Sequence, residues 1–424
     1  MHFAVISAPV PGHLYPNCML AKELIRRGHT VTVYNIPDSK FFVEKLGVQY
    51  YVIAEKEFPL GFWNVQWKGA RTGSNVFRDT RILNIQIDIA DIMMRDLPAI
   101  LKQQAVDVLL VDHLQPQGAS IAEHLGLPFI TICSILPLHP DPTGMVPPSF
   151  AWWIPTGNIF DKCRNKFGHW IVGLFARHYY KTINKWRRQW QLKPEYKLTN
   201  SFSSLAQISV MPEMLDFPRP FISPVYYPVG PFVEKRDEQI VFPWDKLNGK
   251  PIVYVSLGTI RNHIAKVFFA IVKAFENKPH LQLIISKGAW CGGGINFNGL
   301  PESAIIMDYV PQLEVLQKAS LCITHAGPGT IFECIHYCVP LVAIPIADDQ
   351  PAMGARVKYH KLGEVIPWRK ISAGKVSKAV DEVLSNPVYK NNCAKMSKVI
   401  HLLGGVKEAG DIVEQILGAG NGKK

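Results

Sequence analysis

Short apolar runs, each followed by a turn and a helix-length segment, recur along most of this 424-residue chain. In the first half HFAVIS (2–7) leads through LYPNCMLAKELIRRG to HTVTVYN (29–35), and VDVLLVD (106–112) leads through GASIAEHLG to LPFITIC (127–133). The second half repeats the rhythm with PIVYVSL, LQLIIS, AIIMD, SLCIT and PLVAIP. Continuous apolar runs of this length fit strands buried on both faces, and parallel strands need long crossovers, which the intervening helical stretches supply. The expected fold is therefore α/β, with two doubly wound parallel sheets. The length agrees, since one core of this size is uncomfortable and two domains of about 200 residues are not. The expected division is an N-terminal domain over 1–225, a Pro-rich and charged linker over 226–240, a C-terminal domain over 241–400 and a terminal helix over 401–424 that packs back on the first domain.

Residues 309–350, YVPQLEVLQKASLCITHAGPGTIFECIHYCVPLVAIPIADDQ, carry the densest chemistry. A strand, SLCIT, runs into the small-residue turn His-Ala-Gly-Pro-Gly-Thr, which opens a helix. Free backbone N–H groups and the positive end of a helix dipole attract a diphosphate there, and glycines let its oxygens approach. His325 and Thr330 add side-chain donors. Glu333, one turn inside the helix, is placed to accept hydrogen bonds from ribose hydroxyls. Asp349 and Gln350 open the next helix after PLVAIPI and suit the hydroxyls of a sugar.

This ordered set resembles the C-terminal signature of family 1 nucleotide-sugar glycosyltransferases, and the resemblance implies the GT-B type, two facing Rossmann-like domains with a cleft between them. It implies that Tyr309 stacks on the base and Gln312 bonds its edge, with Val310 beside them. It assigns Gly327, His325, Gly329 and Thr330 to the pyrophosphate, Glu333 to the ribose, and Asp349 with Gln350 to the sugar. Ser256 and Thr259, after the strand VYVSL, and Ser286, after LQLIIS, match positions that reach the phosphates. Tryptophan is usual where Tyr309 stands, and plant members carry Trp and Asn in place of Pro328 and Gly329. These departures point to the bacterial macrolide and carotenoid (zeaxanthin) branch and leave UDP and dTDP both open. The triple glycine 292–294 reads as a surface turn, because no helix pattern begins there.

After the first strand, APVPGHLYP holds His13 just before a helix. No G-x-G-x-x-G fingerprint is present, which argues against a dinucleotide-dependent dehydrogenase. On its own such a histidine reads as a packed or capping residue. The family resemblance makes it the general base, a task suited to an imidazole titrating near neutrality. Asp112, at the carboxyl end of VDVLLVD, is then the partner that fixes its tautomer. A helix cap is the alternative for Asp112, while His113 and Asp107 are weaker candidates for the partner.

Residues 145–190 break the α/β rhythm. They are rich in tryptophan, and from 161 to 190 there are eight Lys or Arg against one Asp. The family resemblance makes this the acceptor lid, with Trp152, Trp153 and Phe175 as acceptor contacts. Apolar and basic side chains on one helix also suit a greasy acceptor or a peripheral membrane contact. No apolar run approaches a membrane span and no leader is evident, so the expected setting is cytoplasmic. The eight cysteines show no metal or disulfide spacing. The net charge of +12 comes without a nucleic-acid motif, so no nucleic-acid partner is expected. The expected activity is inverting transfer of a hexose, glucose foremost, from a UDP-sugar to a hydroxyl of a carotenoid, terpenoid or polyketide, with no metal or other cofactor. A UDP-sugar epimerase and a catalytically silent nucleotide-sugar-binding protein are the alternatives.

Overall fold

The structure is a computed structural model that describes residues 1–63, 76–139, 141–220, 222–234, 240–258, 264–288, 297 and 299–420. Thr259 and the glycines 292–294 lie outside the described residues, as do positions 235–239 of the expected linker. The first part of the chain forms β1 (His2–Ile6), α1 (Pro11–Arg26), β2 (Thr30–Asn35), α2 (Lys40–Lys45), β3 (Gln49–Val52), α3 (Val76–Gln103), β4 (Val108–Asp112), α4 (Pro116–Leu125), β5 (Phe129–Cys133), α5 (Ile159–Gln189), β6 (Gln207–Ser209) and β7 (Tyr226–Pro228). The rest forms β8 (Ile252–Ser256), α6 (Ala265–Phe275), β9 (Gln282–Ser286), β10 (Ile305–Met307), α7 (Gln312–Leu316), β11 (Ala319–Thr324), α8 (Pro328–His336), β12 (Leu341–Ala343), α9 (Gln350–Tyr359), β13 (Gly363–Val365), α10 (Ala373–Ser385), α11 (Pro387–Ile400) and α12 (Gly405–Gly420).

Among the described residues the strands make two parallel sheets, of seven strands in the order β3-β2-β1-β4-β5-β6-β7 and of six in the order β10-β9-β8-β11-β12-β13. Each sheet is wound outward in both directions from its middle. The order reverses between β1 and β4 in one and between β8 and β11 in the other, and ligands of open α/β sheets bind at such switch points, beyond the carboxyl ends of the strands. The apolar runs are central for the reason their composition suggests: Phe3 to Ile6, Val108 to Val111 and Val253 to Val255 are buried, with helices covering both faces.

The chain divides into two compact units, one of residues 1–148, 155–232 and 403–424, the other of 149–154 and 233–402. Two details differ from the sequence expectation. The stretch read as the start of a linker instead begins as β7, whose Tyr226–Pro228 pair with Gln207–Ser209. Residues 149–154, read as part of the N-terminal domain, group with the second unit.

In the first unit α12 lies on α1, and Arg27 bridges the two helices. Arg27 bonds Asp411 and Glu414 at 2.7 Å and Glu23 at 2.8 Å, and it donates to the carbonyl of Lys407. His29 reaches Glu414 at 3.1 Å.

Candidate active site

In the first unit, β1 and β4 are neighbours in register, Ile6 beside Val111, so the residues that follow them emerge side by side. Pro11 takes the first position of α1, where its missing N–H costs nothing. The helix therefore starts earlier than expected and His13 lies within its first turn rather than ahead of it. This puts the buried imidazole beside the carboxylate at the end of β4: His13 Nδ1 lies 2.9 Å from Asp112 Oδ2, and Asp112 has no exposed surface.

Asp112 is held on several sides. The hydroxyl of Ser134, just past the end of β5, donates to Oδ2 at 2.6 Å, the Asn17 amide approaches the same oxygen at 3.2 Å, and the backbone N–H of Leu114 donates to Oδ1 at 2.9 Å. Burial alone would push this carboxyl up. His13, its hydrogen bond, His113 and Ser134 together hold it well below the ordinary carboxylate range. Asp112 is thus an anion placed to accept the Nδ1 proton of His13.

Sequence reasoning did not identify Asn17 or Ser134. A signal existed for Asn17, which lies one helical turn after His13 and also donates to its carbonyl at 2.9 Å. His113 does not partner His13 as a substitute for Asp112. Its ring is buried 6.0 Å centroid to centroid from that of His13, burial lowers its pKa to about 4, and neither ring nitrogen has a hydrogen-bond partner. Asp107, at the other end of β4, accepts from the backbone N–H of His2.

In the second unit the carboxyl ends of β9, β8 and β11 align Ser286, Ser256 and Thr324 in one row. His325 follows β11, and α8 begins after Gly327 with Pro328 at its first position. The His325 ring fills a slot that only glycines leave open. A Cβ at Gly258, whose φ is +75°, would sit 2.6 Å from the ring, and one at Gly327 would sit 2.5 Å from Nε2. Burial lowers the His325 pKa to about 4, against the opposing pull of the Ser256 backbone and Asp348, so the ring is uncharged near neutral pH. Gly329 has open space where a side chain would stand.

Gln312 opens α7 and donates to the Glu333 carboxylate on α8, while its carbonyl accepts from the Tyr254 hydroxyl at 2.7 Å. The residues expected to read the base and the ribose therefore touch each other, and Tyr254, which sequence reasoning did not single out, fixes the pair from β8. Tyr309 is 44% exposed, as a stacking ring needs to be, whereas Val310 is buried and offers only its backbone. Asp349 stands at the N-cap of α9. The Gln350 carbonyl accepts from the backbone N–H groups of Ile346 and Ala347 at 2.9 and 3.1 Å, so only its amide nitrogen remains to meet a sugar. The acceptor candidates fall on separate units: Phe175 on α5 in the first, the exposed Trp152 and the adjoining Trp153 in the second. Among the described residues no helix is long and apolar enough to cross a membrane.

Comparison with known proteins bears on the family and the fold. The chain is 30% identical to a zeaxanthin glucosyltransferase of Pantoea ananas over 99% of its own length and 96% of that protein's, and 27% identical to one of Pseudescherichia vulneris over 98% of each. Among solved structures it resembles the glycotransferase of kitacinnamycin, with a TM-score of 0.76 at 23% identity and 98% of each chain covered. It resembles the calicheamicin glycosyltransferase CalG4 equally well, with a TM-score of 0.76 at 18% identity, covering 99% of this chain and 98% of that one. The fold class is that of GT-B glycosyltransferases, and neither the family nor these relatives support the epimerase alternative. Residues 17–403 match the profile described as UDP-glucoronosyl and UDP-glucosyl transferase, and the chain belongs to that family of glycosyltransferases.

Proposed function

We propose that this glycosyltransferase moves glucose from UDP-glucose to a hydroxyl of a lipophilic acceptor, a hydroxylated carotenoid first among them, with inversion at the anomeric carbon. The observation that carries the mechanism is the buried His13–Asp112 pair at 2.9 Å beyond the switch point of the first sheet. With its Nδ1 proton donated to Asp112, His13 takes the hydroxyl proton on Nε2. The hydroxyl oxygen forms a bond to the anomeric carbon as the bond from that carbon to the diphosphate oxygen breaks, and UDP leaves. Asp112 stabilises the imidazolium so formed.

In the donor half-site the N-terminus of α8, Thr330 and the neutral His325 meet the charge that develops on the diphosphate, a fixed arrangement that needs no metal ion. Tyr309 stacks on the uracil, Gln312 meets its edge, Glu333 holds the ribose, and Asp349 with the amide of Gln350 meets the sugar. Ser256, Ser286 and the backbone of Gly327 and Gly329 line the phosphates. The names of the relatives support glucose and a carotenoid.

The test is UDP release from UDP-glucose in EDTA, with zeaxanthin, a terpenoid alcohol and a polyketide aglycone offered in parallel and products read by mass spectrometry. Release that depends on zeaxanthin and yields a β-glucoside supports the reading. Transfer only to the other alcohols, only from dTDP-sugars, or only with added divalent metal overturns the corresponding part of it.

A further inference from the structure

The helix α5 runs for 31 residues, about 46 Å at the usual rise, and its two halves present different chemistry along one outward stripe. At heptad-like spacing the stripe reads Phe160, Phe167 and Trp170, then Arg177, Lys181 and Arg188. The three aromatics are 82%, 60% and 56% exposed, with Phe167 and Trp170 stacked 5.6 Å apart, and the three cations are exposed as well. The opposite face is fixed to the first unit: Tyr179, Tyr180, Ile183 and Arg187 are buried, and Tyr179, Tyr180 and Ile183 belong to its core. An apolar patch of this kind, standing out from a packed helix, marks an interaction surface.

We propose that the outward stripe of α5 docks the first unit onto an anionic lipid surface, the aromatic half entering the headgroup boundary and the basic half lying on the headgroups. Charge selects this occupant. From residue 161 to 190 the sole acidic side chain is Asp161, which is buried and bonded to Thr156 and Arg164, so the helix brings no anion of its own to Arg177, Lys181 or Arg188. A second copy of a chain carrying +12 would add repulsion where an anionic leaflet adds attraction, about fivefold in partitioning for each cation near the surface. The proposal does not depend on which acceptor or sugar the enzyme uses, and its test uses neither.

The full chain is sedimented with vesicles of phosphatidylglycerol and phosphatidylcholine, with pure phosphatidylcholine vesicles, and alone, at low and at physiological salt. The expected result is partitioning onto the anionic vesicles that weakens with salt and falls about tenfold or more in the triple variant F160S/F167S/W170S and in R177E/K181E/R188E. All six positions are exposed, so both variants should keep the wild-type circular dichroism and thermal midpoint. Quenching of Trp170 by brominated lipid, lost in Trp170→Phe, checks the same contact in an otherwise intact chain. Failure of the wild type to bind anionic vesicles, or wild-type binding by both triple variants, overturns the proposal. So does a dimer seen by sedimentation velocity that the aromatic variant abolishes without any vesicle binding, since the stripe would then cover a second copy.

Discussion

His13 and Asp112 are one device, and their variants should fail in related ways. His13→Ala removes the base and should lower turnover by about 10²–10⁴-fold, while UDP affinity measured by calorimetry stays at the wild-type value. Asp112→Asn keeps the shape but gives up the anion that orients and stabilises the imidazole, and a loss of about 10³-fold or more is expected. Near-normal turnover in His13→Ala would remove the residue from its role. His113 makes a separate prediction, about stability. Its folded pKa is depressed to about 4 from the ordinary 6.5, so between those values the unfolded chain binds a proton that the folded chain refuses. Stability is then full above pH 6.5, declines as pH falls toward 4 and levels off below, a loss of about 3 kcal/mol from this group. Denaturation across pH 4–7 should show the slope in the wild type and a flatter one in His113→Asn. Equal slopes would mean that His113 binds its proton as readily in the folded protein as in the unfolded chain.

At the scale of elements, the donor half-site rests on a strand end, a glycine slot and a helix start. Gly327→Ala would place a methyl group 2.5 Å from His325 Nε2, and backbone cannot yield as a flexible side chain does. The ring must leave its slot. Donor KM should rise about ten- to hundredfold, the weight of a hydrogen bond to a charged group, with the pH dependence that His13 sets left in place. Unchanged UDP affinity in this variant would show that the imidazole does not meet the diphosphate from where it stands. The Gln312–Glu333 bond belongs to the same scale, because α7 and α8 must be correctly placed before either side chain can present itself to a nucleoside.

For the whole molecule, the terminal helix is the long-range feature most open to test. Arg27 is mostly buried and bonds carboxylates on α1 and α12, so Arg27→Ala leaves Glu23 to Arg26 and Glu414 to His29 and removes the side chain that bridges the two helices. A loss of about 1–3 kcal/mol is expected, less than for a fully buried pair because Asp411 and Glu414 face water. Urea denaturation followed by far-ultraviolet circular dichroism should show the first transition moving to lower denaturant. An unmoved transition would mean that apolar packing alone seats α12.

The sequence by itself determined the two parallel sheets and the order of groups along residues 309–350, because both follow from short-range patterns. An apolar run of five residues makes a buried strand, and a glycine-rich turn before a helix exposes N–H groups wherever it falls. The family resemblance supplied the pairing of His13 with Asp112 across the sequence, and strand register brought the two side chains together. Contacts that join distant segments were not legible: Ser134 and Asn17 around Asp112, Tyr254 behind Gln312, the Gln350 carbonyl turned to its own loop, and residues 149–154 grouped with the second unit. Each depends on which strand neighbours which and on how a helix is rotated over its sheet. Those choices are made by the packing of the whole core, which no local window of residues contains.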